Sequence, residues 1–115
     1  MDDYSRYADQ IIVHKIRSAW FEMSRMFNQV ANAYNITLSV GFTLIAIYEE
    51  KGTPVTKIAP RMGMEPNSLS RILKTMEKDK LIERVADSLD KRKVLVRLTE
   101  KGSNIRKVSI KSVFR

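Results

Sequence analysis

Between Thr53 and Arg84 the chain reads TPVTKIAPRMGMEPNSLSRILKTMEKDKLIER, and this stretch constrains the fold more than any other. Thr56 is placed to cap a short helix over Lys57–Met62, and Gly63 supplies a tight turn. Pro66 suits the first position of a second helix, where its missing N–H would go unpaired anyway. Leu69, Ile72, Leu73 and Met76 give that helix an inward stripe, while Asn67, Ser68, Ser70, Arg71, Lys74 and Lys78 fall largely on other faces. Two short helices joined through a glycine, the second polar and basic outside, predict a helix-turn-helix. Counted from a Thr56 cap, Pro60 is the fourth helical residue, so it removes about one backbone bond and costs less than a mid-helix proline.

The hydrophobic period then changes. LIERVAD and VLVRLT are short, β-branched and roughly alternating, and SLDKRK between them supplies a loop, which predicts a β-hairpin. A helix-turn-helix followed at once by a two-stranded hairpin is a winged helix. Upstream, roughly from Tyr7 to Tyr34, apolar residues Ile12, Ile16, Ala19, Met23, Met26, Val30 and Tyr34 recur every three or four positions. Trp20 and Phe27 widen that stripe, and neither Gly nor Pro interrupts it, so one amphipathic helix of about seven turns is expected. Such a helix exceeds what one small core covers, and part of its apolar face is expected to meet another chain or a distant C-terminal element.

A further helix follows, capped by Thr37 or Ser39, with Phe42, Leu44, Ile45 and Ile47 on its apolar face. Gly52 stands where its C-terminal cap is expected, and Pro54 blocks continuation. After the hairpin, Thr99 can cap a last helix, with Ile105, Val108, Ser109 and Val113 spaced for one face. The expected class is therefore mainly α with a small β-hairpin (α+β): a winged helix-turn-helix with a long N-terminal helix. Residues 1–36 read as an N-terminal dimerisation helix and 37–99 as the winged helix-turn-helix. Within the latter, a recognition helix falls at about 66–79 and a wing at about 82–98. Residues 100–115 read as the start of a C-terminal dimerisation helix.

Charge separates the halves. Four basic and four acidic groups fall in residues 1–40, so the whole formal net charge of +8 lies beyond Val40. A localised basic excess points to a polyanion, nucleic acid ahead of a membrane surface, although a solvated face would look similar. An α-helix fits the major groove of B-DNA and reaches base edges with its N-terminal residues. Here those are Pro66, Asn67, Ser68 and Ser70, followed by Arg71 and Lys74. Asn67 can pair with an adenine edge, Ser68 and Ser70 with bases or phosphates, and Arg71 with guanine or a phosphate. The wing adds Lys91, Arg92 and Lys93.

From Val40 to Gly102 the chain resembles the MarR family of bacterial winged-helix transcription regulators. The resemblance is carried by VTKIAPRMGMEPNSLSRILKTMEKDKLIER, by DSLDKRKVLVRLTEKG and by their order. Its most specific parts are the Asp-x-Arg of Asp90-Lys91-Arg92 and the closing LTEKG (98–102), and the long first helix extends it over essentially the whole chain. It implies that Arg92 reaches the minor groove or flanking backbone and that Asp90 orients it by a charged hydrogen bond. It also implies a cytoplasmic homodimer, paired through N- and C-terminal helices, that acts as a repressor on a pseudo-palindromic operator. Release by a small aromatic or lipophilic effector is implied as well, with Trp20, Phe21 and Phe42 as the candidate ligand seam, although core packing explains those aromatics too. Such proteins usually continue through one or two further helices, so a chain ending at Arg115 is expected to be shortened.

Other functions have less support. The absence of cysteine excludes disulfides, thiolate metal sites and the peroxide-sensing branch of the family. The single histidine, His14, reads as a helix residue rather than a base or ligand, and no paired-carboxylate spacing or glycine-rich phosphate loop is present. No catalytic residue, metal site or cofactor is therefore expected, and no apolar run reaches membrane-spanning length. The alternative is a winged-helix protein-interaction module without specific DNA binding, for which Arg71, Lys74, Lys91, Arg92 and Lys93 would serve no purpose.

Overall fold

A computed structural model describes residues 11–113 of the chain. Its elements are α1 (Ile12–Tyr34), α2 (Leu38–Ala46), β1 (Thr53–Pro54), α3 (Val55–Met62), α4 (Pro66–Lys78), β2 (Ile82–Ala86), β3 (Val94–Leu98) and α5 (Glu100–Val113). The helical pattern expected over residues 7–10 lies outside the described residues, and α1 begins at Ile12. One core joins these elements: Val40, Leu44 and Ile47 from α2 and its exit meet Ile58, Leu69, Leu73, Met76, Leu81, Ile82, Val96 and Ile105.

The helix ends follow local chemistry. Thr37 caps α2, its Oγ1 accepting the Val40 N–H at 3.2 Å. Gly63 closes α3 in the left-handed region at φ +61°, and Pro66 opens α4 as its first residue. Helix α4 ends in a six-residue wrap. The Leu81 N–H donates to the Met76 carbonyl at 2.9 Å and the Lys80 N–H to Glu77 at 3.1 Å. This places Lys80 at φ +60°, where a side chain costs about 1 kcal/mol that glycine avoids. Lys80→Gly is therefore expected to raise stability by about 1 kcal/mol in urea unfolding. A drop instead would mean that the lysine stem contributes packing here.

Three expectations need correcting. Helix α2 stops at Ala46, six residues before Gly52, because Ile47 turns extended (φ −102°, ψ 97°) to drop its side chain into the core. Gly52 serves instead in the turn after it, at φ +117°, with its N–H on the Glu49 carbonyl at 3.0 Å. Thr56 does not cap α3: the helix starts one residue earlier at Val55, with Pro54 before it and no side-chain cap bond. Pro60 is accordingly the sixth helical residue, and still removes a single ladder bond.

The hairpin also gains a third strand. Thr53 and Pro54 pair antiparallel with Val96 and Leu95, giving the order β1-β3-β2. As an edge strand, β1 tolerates its proline. The register of β2 and β3, from Ile82 against Leu98 to Ala86 against Val94, leaves residues 87–93 as the projecting tip.

Helix α5 is tied to both neighbours. Thr99 caps it, accepting the Gly102 N–H at 3.1 Å, while its own hydroxyl donates to the Lys80 carbonyl at 2.6 Å. Arg106 reaches from α5 to the C-terminal carbonyls of α2, with Nε on Leu44 at 3.0 Å and Nη2 on Ile45 at 3.2 Å. A guanidinium there adds a donor to the last carbonyls of α2 and complements the helix dipole. Phe27 fixes α1 to α2: it is fully buried and stacks on Phe42, which stacks in turn on Trp20.

Candidate nucleic-acid interface

Helix α4 divides cleanly by face. Leu69, Leu73 and Met76 are buried, whereas Pro66, Asn67, Ser68, Ser70, Arg71 and Lys74 are all exposed. No side chain caps its N-terminus, and the first bond of the helix runs from the Leu69 N–H to the Glu65 carbonyl at 3.1 Å. Strand β2 packs on α4, and Arg84 Nε bridges to Glu77 at 3.5 Å, so the wing grows from the flank of the second helix.

The tip of the wing is internally bonded. The Asp87 N–H donates to the Lys93 carbonyl at 3.1 Å, and the Lys93 N–H to the Asp90 carbonyl at 3.0 Å. Two aspartates each hold the amide two residues on: Asp87 Oδ1 takes Leu89 N–H at 2.9 Å and Asp90 Oδ1 takes Arg92 N–H at 3.0 Å. The contact of Asp90 Oδ1 with Arg92 Nε is longer, at 3.5 Å, so Asp90 fixes the backbone of Arg92 more firmly than its guanidinium. That guanidinium is 93% exposed, and Lys91 and Lys93 are exposed beside it.

Carboxylates are distributed unevenly among the cations. Arg61 pairs with Glu49, Arg84 with Glu77, and Arg97 with Glu83. Among the described residues, no carboxylate pairs with Arg71, Lys74, Lys91 or Lys93. Arg71 and Lys74 on the outer face of α4, and Lys91 and Lys93 on the wing tip, are thus among the exposed cations that no carboxylate neutralises, while Arg92 pairs with Asp90 at 3.5 Å. No group of three or more His, Asp or Glu residues that could hold a metal occurs among the described residues. None of the described helices is long and apolar enough to cross a membrane.

Of the residues expected at a ligand seam, Trp20 and Phe42 face a common cavity and Phe21 does not. A cavity of about 510 Å³ lies between α1, α2 and α3, lined by Trp20 and Phe42 together with Met23, Tyr48, Arg61 and Met62. Phe21 does not line it, because one residue step along α1 turns that ring away from the cavity to an exposed position. Sequence reasoning missed Tyr48 and Arg61. Arg61 grips Glu49 with both terminal nitrogens, donates to the Ala46 carbonyl at 2.9 Å and lies 4.1 Å from the centre of the Tyr48 ring. Thr53 Oγ1 donates to the same carboxylate.

The guanidinium of Arg61, helped by Thr53, holds the Glu49 carboxyl at about 2 rather than its ordinary 4.5. A carboxyl depressed by folding stabilises fully above the unfolded value and loses that contribution as pH falls from about 4.5 towards 2. Both side chains are about a quarter exposed, so screening limits the effect. Glu49→Gln is expected to cost about 1–2 kcal/mol at pH 7, with the difference from the parent shrinking as pH falls from about 4.5 and vanishing only below about 2. Urea unfolding across that range measures it, and a difference constant with pH would assign the effect to packing.

A helix-turn-helix whose second helix stands exposed, flanked by a basic two-stranded wing, defines a winged-helix protein of the nucleic-acid-reading class. Comparison with known proteins narrows this. The MarR family model matches residues 36–94. The HTH-type transcriptional regulator MgrA of Staphylococcus aureus is 28% identical over 107 residues, covering 92% of this chain and 72% of that protein. Reduced MarR from E. coli superposes with a TM-score of 0.80 at 23% identity, covering 90% of this chain and 76% of that one. The S. aureus MepR–DNA complex gives 0.73 at 26% identity, covering 90% and 77%. The chain belongs to the MarR family of transcription regulators.

Proposed function

We propose that this chain is a cytoplasmic repressor that binds a pseudo-palindromic double-stranded operator as a homodimer. Helix α4 enters the major groove, with Pro66, Asn67, Ser68, Ser70 and Arg71 at base edges and Lys74 on the backbone. The wing places Lys91, Arg92 and Lys93 on the adjacent minor groove or its phosphates, with Asp90 setting the backbone that carries Arg92. The observation that carries this reading is that α4 and the neighbouring wing tip together present exposed cations, Arg71, Lys74, Lys91 and Lys93, that no carboxylate pairs. A solved DNA complex of the similar MepR supports it.

Dimerisation is assigned to residues 1–36 and 100–115, and DNA reading to 37–99. Ile12, Val13 and Ile16 leave an apolar face exposed on the first turns of α1, which a second copy would cover. The cavity beside Trp20 and Phe42 suits a small aromatic or lipophilic effector, whose binding would alter the spacing of the two reading helices.

The test is selection of genomic fragments by the protein, followed by footprinting and sedimentation. Two protected half-sites with centres about one helical turn apart are expected, on a dimer. Protection of a single isolated half-site by a stable monomer would overturn the dimeric reading. Asn67→Ala should relax sequence preference at one position by about 1–3 kcal/mol without a general loss on other DNA.

A further inference from the structure

We propose that Leu89, at the tip of the wing, is an apolar wedge that this chain presses into the minor groove beside Arg92. There it reads the deformability of the base step it meets. The proposal rests on the DNA-binding reading above and adds a second mode of recognition to it.

Leu89 is 96% exposed, more than any other large apolar side chain among the described residues. A lone exposed leucine on a mobile loop would need no explanation. This one stands on a tip closed by four hydrogen bonds, two between its own backbone groups and two from aspartate side chains. Asp87 holds the amide of Leu89 just as Asp90 holds the amide of Arg92, so an apolar and a cationic side chain are presented three positions apart by the same device. Neither aspartate is spent on neutralising a lysine of the tip. Presenting both side chains from a prearranged backbone lowers the ordering cost of contact.

Charge by itself gives no reason for leucine here. Lys91, Arg92 and Lys93 already attract a polyanion, and a polar residue would serve solubility better. Leucine gains only where water is removed from it. The cations beside it bring the tip against DNA, and the minor groove, about 6 Å wide, offers sugar carbons and base-step edges that an apolar side chain can reach. Apolar wedges open and kink such steps, at a cost lowest for flexible TA and CA/TG steps and high for stiff A-tracts. The wing thereby contributes selectivity without a hydrogen bond to any base.

The experiment compares the full chain, Leu89→Ala and Arg92→Ala on a selected operator and on versions with a TA step or an A-tract beneath the wing, by fluorescence anisotropy at several salt concentrations. Because Leu89 is almost wholly exposed, Leu89→Ala should melt with the parent, which circular dichroism checks. The expected result is an affinity loss of about tenfold for Leu89→Ala on the TA operator, with the salt slope unchanged. The parent should prefer TA over the A-tract, and Leu89→Ala should not. Arg92→Ala should instead lower the salt slope by about one. Affinity of Leu89→Ala within about twofold of the parent, an equal loss on both steps or an altered salt slope would overturn the wedge. A parent chain that does not distinguish the operator from scrambled DNA would overturn the DNA-binding reading itself, a separate and recognisable outcome.

Discussion

Gly102→Ala is expected to destabilise the chain by about 2–3 kcal/mol, against the direction that helix propensity alone would give. In a free helix, alanine is favoured over glycine by about 1 kcal/mol. In α5, a Cβ at position 102 would stand 2.0 Å from the carbonyl oxygen of Leu81. That oxygen cannot retreat easily. Leu81 is buried, its own N–H is bonded to Met76, and its carbonyl takes the Thr99 N–H at 3.0 Å. Forcing a methyl group 2.0 Å from so fixed an oxygen costs about 3–4 kcal/mol, above the usual range for overpacking, and the propensity gain offsets only about 1 kcal/mol of it. The midpoint of thermal unfolding should fall by at least about 8 °C. An unchanged or raised midpoint would show that α5 does not sit this closely on the end of α4.

The second large effect is functional. Arg71→Glu should reduce operator affinity by at least about 100-fold while leaving the melting temperature within a degree or two. Arg71 is exposed on α4, and its neighbours Ile72 and Leu73 carry the packing, so the fold does not depend on its guanidinium. Loss of a bidentate contact to guanine or phosphate costs about 1–3 kcal/mol, and a carboxylate facing the phosphates adds repulsion. Anisotropy at fixed salt measures it, with a scrambled duplex as control. An affinity within about threefold of the parent would mean that the face of α4 bearing Arg71 is not the one that meets DNA.

How much was legible in the residues depends on the distance over which the relevant contact acts. Thr37, Gly63, Pro66 and Thr99 were readable because a cap or a tight turn is decided within three or four residues. The inward stripe of α4 was readable because it repeats with the helix. Strand β1 was not, since two residues containing a proline show no alternation, and their pairing partner lies beyond both helices of the helix-turn-helix. Gly52 and Thr56 were misplaced for a related reason: the core demand on Ile47 ends α2 early and shifts every boundary up to α3.

The site divides in the same way. The exposed residues of α4 and the tip could be named from pattern and charge. The cluster of Tyr48, Glu49, Thr53 and Arg61 could not, because its carboxylate and guanidinium come from different elements and neither breaks a local rule. The bonds of Arg106 to the end of α2 join residues about sixty positions apart, and no periodicity announces such a contact. The resemblance and the aromatic content put Phe21 beside Trp20 at the seam, but adjacent residues on a helix face directions about 100° apart, so only Trp20 lines the cavity.

Thr99 has a mechanical consequence. On this single residue hang the end of α4, through the Lys80 carbonyl, the end of β3, which it follows, and the first turn of α5. Arg106, two turns further on, clamps the same helix to α2. The reading helix and the wing are therefore both joined directly to the start of α5. In a dimer, whatever tilts α5 would carry both DNA-facing elements through the same angle, as a rudder follows its post. Half-site spacing would then be set by rotation of the whole unit, leaving its internal geometry as it stands.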